Sequence, residues 1–332
     1  LKQPRAKGQH YVPRFYLSYF AGPDGFVHTY DKQEGICRAS KPEDTGKESN
    51  FYSVDGPDGV RWDELETTLS KIESLAAPVH ARLVTGSIPT GDDRDAYALF
   101  LATLYLRTPA MVNAMAGFYG DLAQVTALIA DKNPLDPETF LENYEKNIGK
   151  PVEPADRQRI VSILGDKKNI TMNVDRRVGL NAINSAPDIA KLLRQMSWLV
   201  LDVDEANLIT SDNPVVRVSP PEARNSPYGD GGFLHKQMYV TVPLAPHRML
   251  EMAWGAGDHL RVVKADRERR KLYNRQRAMF SERYLYANRR DQGLLSLATK
   301  YPSPGMRIDI GHPSERFPIR LQRRLKADRG AS

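Results

Sequence analysis

Trp198-Leu199-Val200-Leu201-Asp202-Val203 is where the chain changes character. Five apolar residues around a single charge read as a buried strand. Asp204-Glu205-Ala206-Asn207 turns it. Leu208-Ile209-Thr210 reads as a second strand ending at Ser211-Asp212-Asn213-Pro214, and Val215-Val216-Arg217-Val218 continues beyond. Residues 238–242 and 249–253 are further strands, joined by Pro243-Leu244-Ala245-Pro246. Pro sits at strand ends rather than inside central strands, so this corner is expected to join neighbouring antiparallel strands. Residues 266–281 read as a basic helix carrying Asn274.

Before Trp198 the period is helical. Leu65, Leu69, Ile72, Leu75, Val79 and Leu83 recur three and four apart over 62–83 and make one apolar stripe. Asp63 and Glu66 have the spacing of a capping box, and Glu64 and Glu73 fall on the solvated face. A second helix covers 92–106; its apolar run 96–106 is far short of the roughly 20 residues that cross a bilayer, so it reads as buried. Arg107-Thr108-Pro109 interrupts the pattern, and a guanidinium after so apolar a turn needs a carboxylate or a bound anion. Helices are expected at 137–147 and 154–165, and another at 172–195 with a break at Pro187. Residues 24–40 alternate as a hairpin turned at Lys32-Gln33-Glu34-Gly35. Hairpin, helices and then a mostly antiparallel sheet with one late helix give an α+β fold. The boundaries expected are a single compact domain over 1–300, with a helical block at about 62–196 and a sheet part at about 197–290, and an Arg-rich tail over 301–332.

Composition narrows the class. Of 332 residues, 41% are hydrophobic and 27% charged, as in ordinary soluble proteins. Leu1-Lys2-Gln3-Pro4-Arg5 is polar and no apolar stretch follows, so no secretory signal is expected. Cys37 alone cannot form an intrachain disulfide or a multi-cysteine zinc site, and a cytoplasmic, reducing compartment is expected. Residues 261–332 hold 19 basic and 7 acidic side chains, whereas the rest of the chain is net acidic. Either the basic third docks on the acidic remainder, or it is a surface for nucleic acid or nucleotide.

The polar residues that stand out are Gln9, His10, Arg14, Glu48, Asn50, Arg107, Asp212, Asn213 and Asn274. Gln9-His10-Tyr11-Val12-Pro13-Arg14 is apolar enough to be drawn inward, so its polar groups need partners. Asp212 and Glu48 are the carboxylates expected to meet His10. Asp212 and Asn213 have an ordinary explanation too, as an Asx-turn. A His with carboxylates suits acid–base work or a divalent metal, and the Arg and Asn side chains suit an anionic substrate.

The opening Gln9-His10-Tyr11-Val12-Pro13-Arg14-Phe15-Tyr16-Leu17 resembles the start of a bacterial family, domain of unknown function 4238. The resemblance extends to Glu48-Ser49-Asn50-Phe51-Tyr52, Arg107-Thr108-Pro109, Thr210-Ser211-Asp212-Asn213-Pro214, the Pro243–Pro246 corner and Asn274. It implies one domain family from Gln9 to about residue 290 and supplies no activity. The function expected from the residues is hydrolysis of a phosphodiester or nucleotide, metal-assisted or not. His10, Asp212 and Glu48 would be catalytic; Gln9, Arg14, Asn50, Arg107, Asn213 and Asn274 would bind substrate. The rival expectations are a nucleic-acid-binding or sensing module and an interaction scaffold.

Overall fold

The computed structural model describes residues 8–302 except 53, 56–60, 63, 131–136, 150, 166–174, 204, 206, 221–230 and 256–261. In chain order the elements are β1 (Gln9–His10), α1 (Arg14–Ser18), β2 (Val27–Asp31), β3 (Ile36–Ser40), β4 (Lys47–Glu48), β5 (Val54–Asp55), β6 (Arg61–Trp62) and α2 (Glu64–Val84). The helical block continues with α3 (Gly91–Leu106), α4 (Pro109–Ala130), α5 (Pro137–Ile148), α6 (Pro154–Gly165), a 3-10 stretch (Arg176–Ser185) and α7 (Ala186–Gln195). Then come β7 (Ser197–Val203), β8 (Thr210–Ser211), β9 (Val216–Val218), β10 (Tyr239–Ala245), β11 (Arg248–Ala253), β12 (Val262–Ala265), α8 (Arg267–Phe280), β13 (Tyr284–Ala287) and α9 (Gln292–Lys300). The fold is α+β. Described residues within 8–115 and 176–302 form one unit, and those within 116–175 form another.

In the smaller unit, Arg157 of α6 reaches Glu138 and Glu145 of α5 at 2.7 and 2.9 Å. Gly149, at φ +67°, ends α5 in a backbone conformation that only glycine adopts without strain.

The larger unit holds two main sheets. One has the order β12-β7-β11-β10-β9, antiparallel except that β12 runs parallel to β7. The Pro243–Pro246 corner joins β10 to β11 antiparallel, as expected; Pro243 itself lies within β10, opposite Met249, where the register shifts. The other sheet has the order β3-β2-β13-β8, antiparallel throughout. The expected hairpin is therefore present, but its β2 edge pairs with β13, more than 250 residues later. The strand expected at 208–210 is Thr210–Ser211, and it belongs to this second sheet. Residues 212–215 thus carry the chain from one sheet to the other.

Two local readings change. Of the helix expected over 172–195, 176–185 is a 3-10 stretch and α7 follows it, with Pro187 in its first turn, where the missing N–H costs nothing. The buried stripe of α2 runs through Leu69, Ala76, Val79, His80 and Leu83, and Leu75 is 64% exposed. Asp63, half of the expected capping box, lies outside the described residues, as does the Arg-rich tail beyond 302. The apolar turns of α3 are buried, as expected, with Tyr97, Phe100, Leu101 and Leu104 fully enclosed. Among the described residues no helix is long and apolar enough to cross a membrane.

Candidate functional site around His10 and Arg107

The 9–12 segment is pinned to the 46–48 segment. β1 pairs antiparallel with β4, placing Gln9 opposite Glu48 and His10 opposite Lys47. The N–H groups of Tyr11 and Val12 both donate to the Gly46 carbonyl, at 3.0 and 3.1 Å. Gly46 has φ +66°, and a Cβ there would stand 3.1 Å from both Leu17 and Val12, so the close approach requires glycine. Gln9 is buried and bridges two elements. Its Nε2 donates to Glu66 Oε2 on α2 at 2.8 Å, and its Oε1 accepts the Tyr52 N–H at 2.6 Å. The Tyr52 hydroxyl donates to the His10 carbonyl at 3.0 Å. The loop at 48–52 is held to the body in this way.

Arg107 follows α3 and is 1% exposed. Its Nη1 donates to Glu73 Oε1 at 2.7 Å. Its Nε and Nη2 are buried and have no hydrogen-bond partner. Tyr52 faces the same group: burial raises its hydroxyl pKa, and the Arg107 guanidinium is the largest influence opposing that rise. The ion pair expected of Arg107 is present, and the Tyr52 hydroxyl stands near the rest of the fork without completing an ordinary hydrogen bond to Nε or Nη2.

His10 stands beside this cluster. Its Nε2 is buried without a partner. Burial and the charge of Lys47 lower its pKa, against the pull of Glu73 and the Glu43 and Pro42 carbonyls, so the ring is neutral at pH 7. Gln9, His10, Tyr52, Glu66, Glu73 and Arg107 thus converge.

The other expected site residues serve other contacts or face solvent. Asp212 accepts the backbone N–H groups of Glu282, Arg283 and Tyr284 at 2.9, 2.6 and 2.8 Å. Burial pushes its carboxyl up to about 6 against those three donors. No hydrogen bond or ion pair joins it to His10 among the described residues. Neighbouring Tyr11 is the link between the two segments, through Tyr286, hydroxyl to hydroxyl at 3.3 Å. Asn213 donates to the Phe280 carbonyl. Asn274 accepts the Ile209 N–H and donates to the Asn207 carbonyl, clamping the entry to β8. Glu48 pairs with Arg176 at 2.6 Å, and Arg176 also reaches Asn113. Asn50 is exposed at φ +60°, and Arg14 is exposed at the start of α1.

The residues missed are Glu66, Glu73, Tyr52 and Arg176. A signal for two of them exists. Glu66, Leu69, Glu73, Ala76, His80 and Leu83 recur three and four apart, so both carboxylates share the buried stripe of α2. His80, on that stripe, is fully buried and satisfied: its Nε2 donates to the Leu244 carbonyl and its Nδ1 accepts from Tyr97, at 3.0 and 2.6 Å. Burial lowers its pKa to about 4, so it is a neutral structural histidine.

Three arginines among the described residues of 262–302 face acidic partners from earlier in the chain. Arg269 pairs with Glu251, Arg270 with Glu205, and Arg283 with Asp31 and Glu34. Among the described residues no group of three or more His, Cys, Asp or Glu side chains is placed to hold a metal ion.

The fold and the cluster define an α+β protein whose N-terminal segment is buried against α2 and α3. The chain belongs to the family described as Protein of unknown function (DUF4238), which matches residues 8–291. No curated protein and no solved structure matches the sequence.

Proposed function

We propose that the protein hydrolyses a phosphodiester or nucleotide and that the His10–Arg107 cluster receives the phosphoryl group. The observation that carries this reading is the enclosed guanidinium of Arg107 with its Nε and Nη2 unpartnered. That edge of the fork is suited to grip two oxygens of a phosphate or carboxylate at once. A buried cation with one edge unmet is costly unless a ligand or water meets it. In this reading water adds to phosphorus and the ester P–O bond breaks. Neutral His10 takes the water's proton at Nε2 and returns it to the departing alkoxide. In this reading Glu73 and Glu66, which reach Arg107 and Gln9 through one oxygen each, are the carboxylates of the site in place of Asp212 and Glu48. The pairing of Arg269, Arg270 and Arg283 with internal carboxylates favours this reading over a nucleic-acid surface on 261–290.

The test is a turnover screen over chromogenic phosphodiesters and nucleotides. His10→Ala is expected to lower kcat by at least ~100-fold, and Arg107→Lys to raise KM. A wild-type protein that neither turns over a phosphoester nor binds inorganic phosphate overturns the reading.

A further inference from the structure

We infer that the ligand of the His10–Arg107 site is a small monophosphate carrying hydroxyl or amine donors, of the nucleoside monophosphate type, and not a nucleic-acid strand. This rests on the reading of Arg107 as the phosphate receiver.

The site leaves several polar groups unmet. Arg107 offers two buried donors, Nε and Nη2, and the neutral His10 ring, whose other nitrogen faces the Glu43 and Pro42 carbonyls, offers Nε2 as an acceptor. Beside them are two carboxylates, each half-used. Glu66 accepts Gln9 through Oε2 alone, and Glu73 accepts Arg107 through Oε1 alone. The remaining oxygens, Glu66 Oε1 and Glu73 Oε2, have no hydrogen bond from the described residues. Tyr52 lies within electrostatic reach of all three charged groups. The open chemistry therefore has two signs: donors for one oxyanion, and acceptors for hydroxyl or amine groups.

Spacing separates the two. Glu66 and Glu73 are two turns apart on one face of α2, about 10 Å along the axis. The donors that meet Glu66 must then lie on a different part of the ligand from the phosphate held beside Glu73. A ribose diol is the kind of group that a lone carboxylate binds in nucleotide sites. Charge excludes a strand. A single phosphate meets only the Arg107 edge, whereas the successive phosphates of a strand would also meet Glu66 and Glu73 in a low-dielectric setting.

The experiment is calorimetric titration of the full chain with inorganic phosphate, ribose 5-phosphate, adenosine monophosphate, its 2′,3′-dideoxy counterpart and a single-stranded oligonucleotide. Adenosine monophosphate is expected to bind about tenfold tighter than inorganic phosphate, the effect of one hydrogen bond to a charged acceptor. The dideoxy counterpart should lose most of that advantage. Glu66→Gln still accepts from Gln9 and should remove the advantage without weakening inorganic phosphate. Arg107→Lys should weaken every ligand, and if that variant fails to fold, Glu66→Gln decides alone. Equal affinity for phosphate and the nucleotide, or tighter binding of the oligonucleotide, overturns this inference and leaves the phosphate reading standing. Absence of phosphate binding overturns both.

Discussion

Arg107 is fully enclosed, yet it bonds one carboxylate, that of Glu73, 34 residues earlier, at 2.7 Å. Glu73 lies on α2, and Arg107 terminates α3. The pair therefore ties two packed helices together while leaving the guanidinium with donors to spare.

Removing one partner of a buried pair strands the other. Glu73→Ala should cost about 3 kcal/mol, the low end for a broken buried pair, because Glu73 is itself 26% exposed and water can reach the gap. The check is a urea midpoint shift at unchanged m-value. Added phosphate should recover part of the loss if it occupies the Arg107 edge; no recovery at millimolar phosphate would count against the site.

His10→Ala has a different expectation. The Nε2 atom has no partner to lose, the His10 carbonyl that receives Tyr52 belongs to the backbone, and the ring gives up only its bonding to the Glu43 and Pro42 carbonyls. Stability should change by no more than about 1 kcal/mol, while turnover falls. A large drop in Tm would make His10 structural.

Asp212→Asn should destabilise by about 2–3 kcal/mol. One amide oxygen cannot serve three converging N–H groups, and bonds to a charged acceptor are worth about 1.5–3 kcal/mol each. Amide exchange at residues 282–284 should speed up more than in β7. Uniform acceleration across both sheets would show that the effect is not local.

The pH dependence follows from two buried groups of opposite sign. His80 has its pKa lowered to about 4, below its unfolded value near 6.5. The unfolded chain therefore binds the extra proton, and stability is lost as pH falls from about 6.5 towards 4. Asp212 has its pKa raised to about 6, above its unfolded value near 3.9. Its contribution is fully present below the unfolded value and is lost as pH rises through about 6. Across pH 4–6 the two largely cancel. Asp212→Asn should unmask the histidine, so that its stability falls on acidification by up to about 3 kcal/mol more than the wild type's. Equal slopes for the two proteins would refute the assignment.

Asn274→Ala should cost about 1–3 kcal/mol by leaving the Asn207 carbonyl and the Ile209 N–H unmet. Faster exchange at Ile209 is the local readout, and unchanged exchange there would remove the clamp from the account.

Sequence periodicity alone was enough for the helical block, the hairpin, the β10–β11 corner and the burial of Arg107, because each depends on residues near one another in the chain. A run such as 96–106 is buried whatever it packs on, and a guanidinium at its end must find an anion. Which anion was a tertiary matter. Asp212 and Glu48 stood out in the sequence and Glu73 read as solvated face, since spacing does not say which carboxylate a distant fold will bring near. Only the pairing of β13 with β2 and β8 explains Asp212, whose three donors come from the chain entering β13. Glu66 and Glu73 were misread because an amphipathic helix has several near-equivalent stripes. Packing of α2 against α3 chose the stripe through His80 and turned Leu75 to solvent. The sequence by itself determined which segments are helix or strand and which side chains could not be buried alone. The tertiary structure decided their partners, because burial sets the cost of an unmet charge and only the three-dimensional neighbours can meet it.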